Sequence, residues 1–131
     1  MKGVLHHIEI YVSDIAESEI FWTWLLEELS YKKFQEFNGG FSFKLNDTYI
    51  VFVQTEEKYL DIKYHRKRTG LNHLAFYVNS KQDVDDIIKK LKQRNINILY
   101  PEKHPFAGGD DYYAVFFEDP DRIKIELVAL K

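Results

Sequence analysis

The 131-residue chain has no cysteine, three prolines and a single methionine. Without cysteine there is no disulfide, no thiolate metal ligand and no cysteine nucleophile, and a reducing, cytoplasmic setting is expected. Long apolar runs are also missing. Nothing approaches the ~18 residues of a membrane span, and Met1-Lys2-Gly3-Val4 runs straight into a strand pattern interrupted by His6 and Glu9, so no signal peptide is expected. Neither sign of charge dominates. Lys and Arg number 18 against 21 Asp and Glu, a net −3, which leaves no basic footprint for nucleic acid or for an anionic membrane surface. What the chain does have is 45% hydrophobic and 16% aromatic residues. That is enough for a real core, and the length suits one domain of roughly 50–200 residues.

The strongest pattern is an internal repeat. Leu5-His6-His7-Ile8-Glu9-Ile10-Tyr11-Val12 recurs as Leu71-Asn72-His73-Leu74-Ala75-Phe76-Tyr77-Val78, and Leu, His, Tyr and Val return at a constant offset of 66 residues. Each copy alternates as a half-buried strand does. After the first copy, Asp14 and Glu17 stand at capping-box spacing ahead of a helix with Ile20, Phe21, Trp24 and Leu25 as its apolar stripe. Phe34–Phe37, Phe41–Leu45 and Tyr49–Gln54 read as strands, separated by turns at Asn38-Gly39-Gly40 and Asn46-Asp47. After the second copy, Ser80 and Asp83 cap a helix with Val84, Ile87, Ile88 and Leu91 on one stripe. Strands follow near Ile98, at Tyr112–Glu118 and at Ile123–Val128, the last two joined by Asp119-Pro120-Asp121-Arg122. Each half is therefore strand, helix, strand, strand, strand. The expected organisation is one domain over 1–131, with module one at about 4–55, a polar connector at about 56–70 and module two at about 71–131. An insertion from Pro101 to Asp111 is the best candidate for a loop over a site.

Alternation decides which side chains share a face. His7 goes with Glu9 and Tyr11, and His73 goes with Ala75 and Tyr77. In the last strand Ile123, Ile125 and Leu127 form the apolar face, which leaves Glu126 with Lys124 and Val128 on the other. Two His and one Glu on polar sheet faces need a partner, because unpaired buried polar groups are costly. One divalent ion, held by His7, His73 and Glu126 with positions left open for substrate, supplies it. Neutral imidazole and carboxylate admit Zn, Mn, Fe, Co or Ni. The alternative is a pair of hydrogen-bonded cleft histidines with no metal.

These residues resemble the vicinal oxygen chelate superfamily, which includes glyoxalase I, fosfomycin-resistance thiol transferases, bleomycin-resistance proteins and extradiol dioxygenases. The resemblance spans nearly the whole chain. His7 with Ser13-Asp14 and Phe21-Trp22 matches the start of a module, and Asp119-Pro120-Asp121 with Ile125-Glu126-Leu127 matches the end of the second. Within the superfamily the chain is most similar to an uncharacterised bacterial branch. The resemblance implies an α+β fold of two tandem βαβββ modules forming a curved mixed sheet around a cleft. It also implies His7, His73 and Glu126 as metal ligands, and a homodimer. Glyoxalase I-like members carry a fourth ligand, a Glu, on the last strand of the first module. Aligning Tyr49-Ile50-Val51-Phe52 with Ile123-Lys124-Ile125-Glu126 places Phe52 there, which counts against that activity. Acidic Gly109-Asp110-Asp111 makes fosfomycin a poor substrate.

Two functions follow. One is a metal-dependent lyase, isomerase or thiol transferase acting on a small molecule with vicinal oxygens. The other is a metal-free protein of the bleomycin-resistance type that sequesters a ligand. Glu9, Tyr11, Trp22, Phe52, Gln54, Tyr77, Tyr112 and Phe116 are the candidate substrate-binding residues. His6 is expected to point away from His7, and His65-Arg66-Lys67-Arg68 to be a solvated charged loop.

Overall fold

The computed structural model describes residues 1–131. The chain divides into two compact units, Met1–Lys63 and Tyr64–Lys131, and each is a βαβββ module. The first contains β1 (His7–Val12), α1 (Ile15–Glu28), β2 (Lys32–Phe37), β3 (Gly40–Leu45) and β4 (Thr48–Gln54), followed by a 3-10 turn at Glu57–Tyr59. Its sheet runs β1-β4-β3-β2. β1 is parallel to β4, and the other pairs are antiparallel hairpins. The second contains β5 (Leu74–Val78), α2 (Lys81–Gln93), β6 (Ile98–Leu99), β7 (Ala114–Glu118) and β8 (Lys124–Ala129), with sheet order β5-β8-β7-β6. No helix is long and apolar enough to cross a membrane.

The helices begin where the capping residues stand. Asp14 accepts the backbone N–H groups of Ala16 and Glu17 at 3.0 and 3.2 Å. Ser80 and Asp83 form a reciprocal capping box. The buried stripe of α1 is Ser18, Phe21, Trp22, Leu25 and Leu26, not one built on Ile20, which is 71% exposed. The spacing from residue 18 is the ideal i, i+3, i+4, i+7, i+8, but its first member is a small serine that hydrophobicity alone overlooks.

In the first unit Trp22 lies on Phe52 with ring centroids 4.7 Å apart, and Phe52 stacks on Phe41 at 5.1 Å. All three rings are fully buried. In the second unit α2 buries Val84, Ile87 and Leu91, while Phe117, Ile125 and Leu127 are fully buried in the sheet. Four strands start later than the alternation predicts, among them β1 at His7 rather than Leu5 and β8 at Lys124 rather than Ile123. The Leu71 carbonyl accepts a hydrogen bond from the Tyr64 hydroxyl at 2.7 Å, so β5 begins at Leu74 rather than Leu71. Tyr112 belongs to the loop, where its N–H donates to the Gly109 carbonyl, and β7 begins at Ala114.

Candidate functional site

Strand register places the polar side chains. In the first unit Ile8 stands beside Ile50 and Glu9 beside Val51. In the second, Leu74 stands beside Ile125 and Ala75 beside Glu126. Since His7 and His73 are repeat equivalents, Glu126 corresponds to Val51 and not to Phe52. The sequence alignment was one residue out, and a slip of one sends a side chain to the opposite face. Phe52 therefore faces α1, as the Trp22 contact shows. Trp22 and Phe52 are core residues, which corrects their reading as substrate contacts. Gln54 shares the helix-facing side. Its Oε1 accepts from the Ile15 N–H at 2.8 Å, and its Nε2 donates to the carbonyls of Ser13 and Thr55 at 2.8 and 3.2 Å. It ties the end of β4 to the start of α1.

The face of the second sheet turned away from α2 carries His73, Tyr77, Phe116, Lys124 and Glu126. His73 Nε2 lies 3.2 Å from Glu126 Oε1, and its Nδ1 lies 2.7 Å from Asn72 Oδ1. Asn72 Oδ1 accepts the Nδ1 proton, so Nε2 meets the carboxylate either as the second N–H of an imidazolium, donating to Oε1, or as a lone pair with a cation between them. Glu126 is only 8% exposed. A nearly buried carboxylate calls for a compensating positive charge, which an imidazolium at His73 or a cation held by the pair supplies. An outer acceptor on the second ring nitrogen is the usual way a ligating histidine is oriented. Beside this pair Ala114, Phe116 and Val128 form a small apolar cluster, packed by Leu99, Tyr100 and Ala107. Ala107 comes from the long loop, so the 101–111 segment does lie over part of this face.

His7 has a different setting. Its ring stacks on Tyr49 at 4.8 Å, with the planes 5° apart, and its Nε2 is 3.8 Å from Glu9 Oε1. Its Nδ1 meets His6 Nδ1 at 2.8 Å, so His6 is an exposed hydrogen-bonding neighbour of His7 rather than a residue pointing away. Tyr11 and Tyr77 are 70% and 75% exposed. Tyr112 lies beside the glycines of the loop. Nowhere in the chain do three His, Asp or Glu side chains cluster closely enough to hold a metal ion. The structure brings together His73 and Glu126, and it does not form a three-donor centre.

Three residues near this face have roles that the sequence did not indicate. Asn72 orients His73. Lys124 donates to the Tyr100 hydroxyl at 3.3 Å. Arg66 donates to Glu118 Oε1 at 3.0 Å and to the Arg122 carbonyl at 3.1 Å, and its side chain is 15% exposed. Arg66 is thus a structural cation rather than part of a solvated charge run. Only Lys124 had a legible signal, the alternation that puts it on the face of Glu126.

Comparison with known proteins agrees with this architecture. The family model described as Glyoxalase/Bleomycin resistance protein/Dioxygenase superfamily matches residues 4–127. YqjT of Bacillus subtilis (strain 168), an uncharacterised protein, is 54% identical over 125 residues, covering 95% of this chain and 98% of its own. The crystal structure of a candidate glyoxalase from Bacillus halodurans has a TM-score of 0.97 at 54% identity, covering 98% of this chain and 97% of that one. A variant of the fosfomycin-resistance protein FosX from Listeria monocytogenes, complexed with Mn(II) and 1S,2S-dihydroxypropylphosphonic acid, shares the fold. It has a TM-score of 0.69 at 18% identity, covering 100% of this chain and 93% of that one.

Proposed function

The chain belongs to the Glyoxalase/Bleomycin resistance protein/Dioxygenase superfamily, and from that premise we propose that it is a divalent-metal-dependent enzyme acting on a small molecule with vicinal oxygens. The observation that supports this is the His73–Glu126 pair, in which two potential donors face each other at 3.2 Å with Asn72 holding the far ring nitrogen. The ligands we assign are His73 and Glu126. When bound, the ion supplies Lewis acidity toward a substrate oxygen. The first module carries Val51 at the strand position of Glu126, so it has no carboxylate there to act as a ligand or proton acceptor. The reading therefore favours lyase or transferase chemistry over an isomerisation that needs a carboxylate base at that position. FosX, which shares the fold, binds Mn(II).

A second reading is favoured by a separate observation. No three donors cluster, and Tyr11 and Tyr77 present exposed rings. That combination suits a metal-free protein sequestering an aromatic or cationic ligand.

Metal analysis of protein purified without chelators or a His tag, followed by calorimetric titration, separates the two. The enzyme reading expects about one divalent ion per chain and loss of tight binding in His73→Ala and Glu126→Gln. No binding by the wild type, or equal binding by His73→Ala, transfers the function to the sequestering reading. We also propose a homodimer. β1 and β2 are the edges of the first sheet and β5 and β6 those of the second, and exposed edges gain by pairing. Sedimentation that gives a monomer at tens of micromolar, an order-of-magnitude range above ordinary dimer dissociation constants, overturns it.

A further inference from the structure

Lys124 has an unusual electrostatic position. In the register its direct partner across the strand pair is Glu118, the carboxylate expected to neutralise it. That carboxylate is already taken, by Arg66 at 3.0 Å and by Arg122 at 3.6 Å. The half-buried Lys124 instead donates to the Tyr100 hydroxyl at 3.3 Å. Its ammonium sits 5.5 Å from the Tyr100 ring centroid and 5.8 Å from that of Phe116. Two rings hold the cation in place, and no carboxylate neutralises it. The same strand face carries Glu126 two residues on, about 7 Å away along a strand.

We propose that Lys124, with the Tyr100 hydroxyl beside it, anchors an anionic oxygen of the ligand. This makes the substrate class a small oxyanion whose charged group lies next to its vicinal oxygens, as in a 2-hydroxycarboxylate. The inference rests on the metal-enzyme reading for its second half, the vicinal oxygens, while the anion anchor stands on the geometry of Lys124 alone. The rings set where the ammonium points, and the occupied Glu118 explains why it is available.

Glycolate and glycolamide test this, since they share size and vicinal oxygens and differ in charge. Calorimetry on Mn(II)-loaded wild type is expected to show glycolate binding about tenfold or more tighter than glycolamide, the scale of one charge-assisted hydrogen bond. Lys124→Met keeps the apolar stem and should shrink that preference to the part that the carboxylate's own affinity for Mn(II) supplies, while Lys124→Arg should keep it in full. Mn(II) affinity of Lys124→Met should be unchanged or slightly tighter, since a repelling cation is gone, whereas a merely structural role for Lys124 weakens it. An undiminished glycolate preference in Lys124→Met overturns the proposal. If wild type binds no Mn(II), the metal reading is what fails. Glycolate titrated into metal-free protein then decides the anchor. Binding lost in Lys124→Met supports it. Equal binding by both proteins, or none by wild type, overturns it.

Discussion

Val51 occupies in the first module the strand position that Glu126 occupies in the second. Glu9 stands beside Val51 as Ala75 stands beside Glu126. The two modules share this strand pairing and differ in the residue it carries.

This relationship separates two glutamate substitutions on neighbouring residues. Phe52→Glu places a charge among Trp22 and Phe41 in the core. It is expected to cost about 4 kcal/mol or more, from the lost aromatic packing and the unpaired buried charge. Val51→Glu places its carboxylate on the other face of the sheet, away from α1 and its aromatic core, and should cost less than Phe52→Glu. Denaturant unfolding of the two variants checks this. If Val51→Glu disrupted the packing of Trp22 and Phe41 and Phe52→Glu did not, the register argument would be wrong.

Gln54 should act on stability and not on ligands. Its amide makes three hydrogen bonds, to Ile15, Ser13 and Thr55, and so closes the first turn of α1 against β4. Gln54→Ala leaves those backbone groups without their partner and should cost about 1–3 kcal/mol. Its affinity for metal or for glycolate should stay within twofold of wild type, about 0.4 kcal/mol. A ligand affinity that falls while the unfolding midpoint holds would return Gln54 to the binding surface.

Arg66 and Glu118 form an ion pair whose side chains are 15% and 10% exposed. Removing one member of so enclosed a pair leaves the other charge uncompensated, a loss of ~3–5 kcal/mol when nothing else is near. Arg122 lies 3.6 Å from the same carboxylate and takes up part of that loss, so Arg66→Met should cost about 2 kcal/mol. The double variant Arg66→Met/Glu118→Gln should recover some of it. Chemical denaturation of the two variants measures both effects, and a double variant no more stable than the single one argues against the pair.

The repeat made most of the fold legible. Alternation about His7 and His73 marked β1 and β5, and Asp14, Ser80 and Asp83 marked the helix starts. His73 with Glu126 was legible because the strand period is 2, so Ile125 and Leu127 inside force Glu126 to the other side. The Phe52 assignment failed for the same reason. Alternation fixes faces within a strand, but pairing between β1 and β4 sets which residues correspond, and no residue in Tyr49–Phe52 announces that register. Ser18 was hidden because its burial comes from position on the helix and not from its own polarity. Arg66 was hidden because its partner Glu118 is 52 residues away, a pairing that only tertiary structure reveals.

Tyr113 ties the long loop to α2, and that tie should respond to alkaline pH. Its hydroxyl donates to Asp85 Oδ1 at 2.6 Å. The hydrogen bond to Asp85, then burial, then the carboxylate's charge hold the Tyr113 pKa above its ordinary value. Lys81 lies over the same ring at 5.5 Å, but the hydrogen bond favours the neutral phenol. A pKa raised on folding means the contribution to stability is fully present below the unfolded value of about 10 and is lost as pH rises through the higher folded value. Wild type should therefore exceed Tyr113→Phe by up to about 1 kcal/mol at pH 8, a modest amount because the site is largely solvated. The gap should close as pH climbs past about 10. Because the loop carries Ala107 onto Ala114, Phe116 and Val128 beside Glu126, the same substitution should raise amide exchange across residues 101–112. Unfolding curves for both proteins from pH 8 to about 11, with hydrogen exchange at neutral pH, make the comparison. A stability gap that stays constant with pH, or exchange in the loop that does not change, shows that Asp85 and Tyr113 do not hold it.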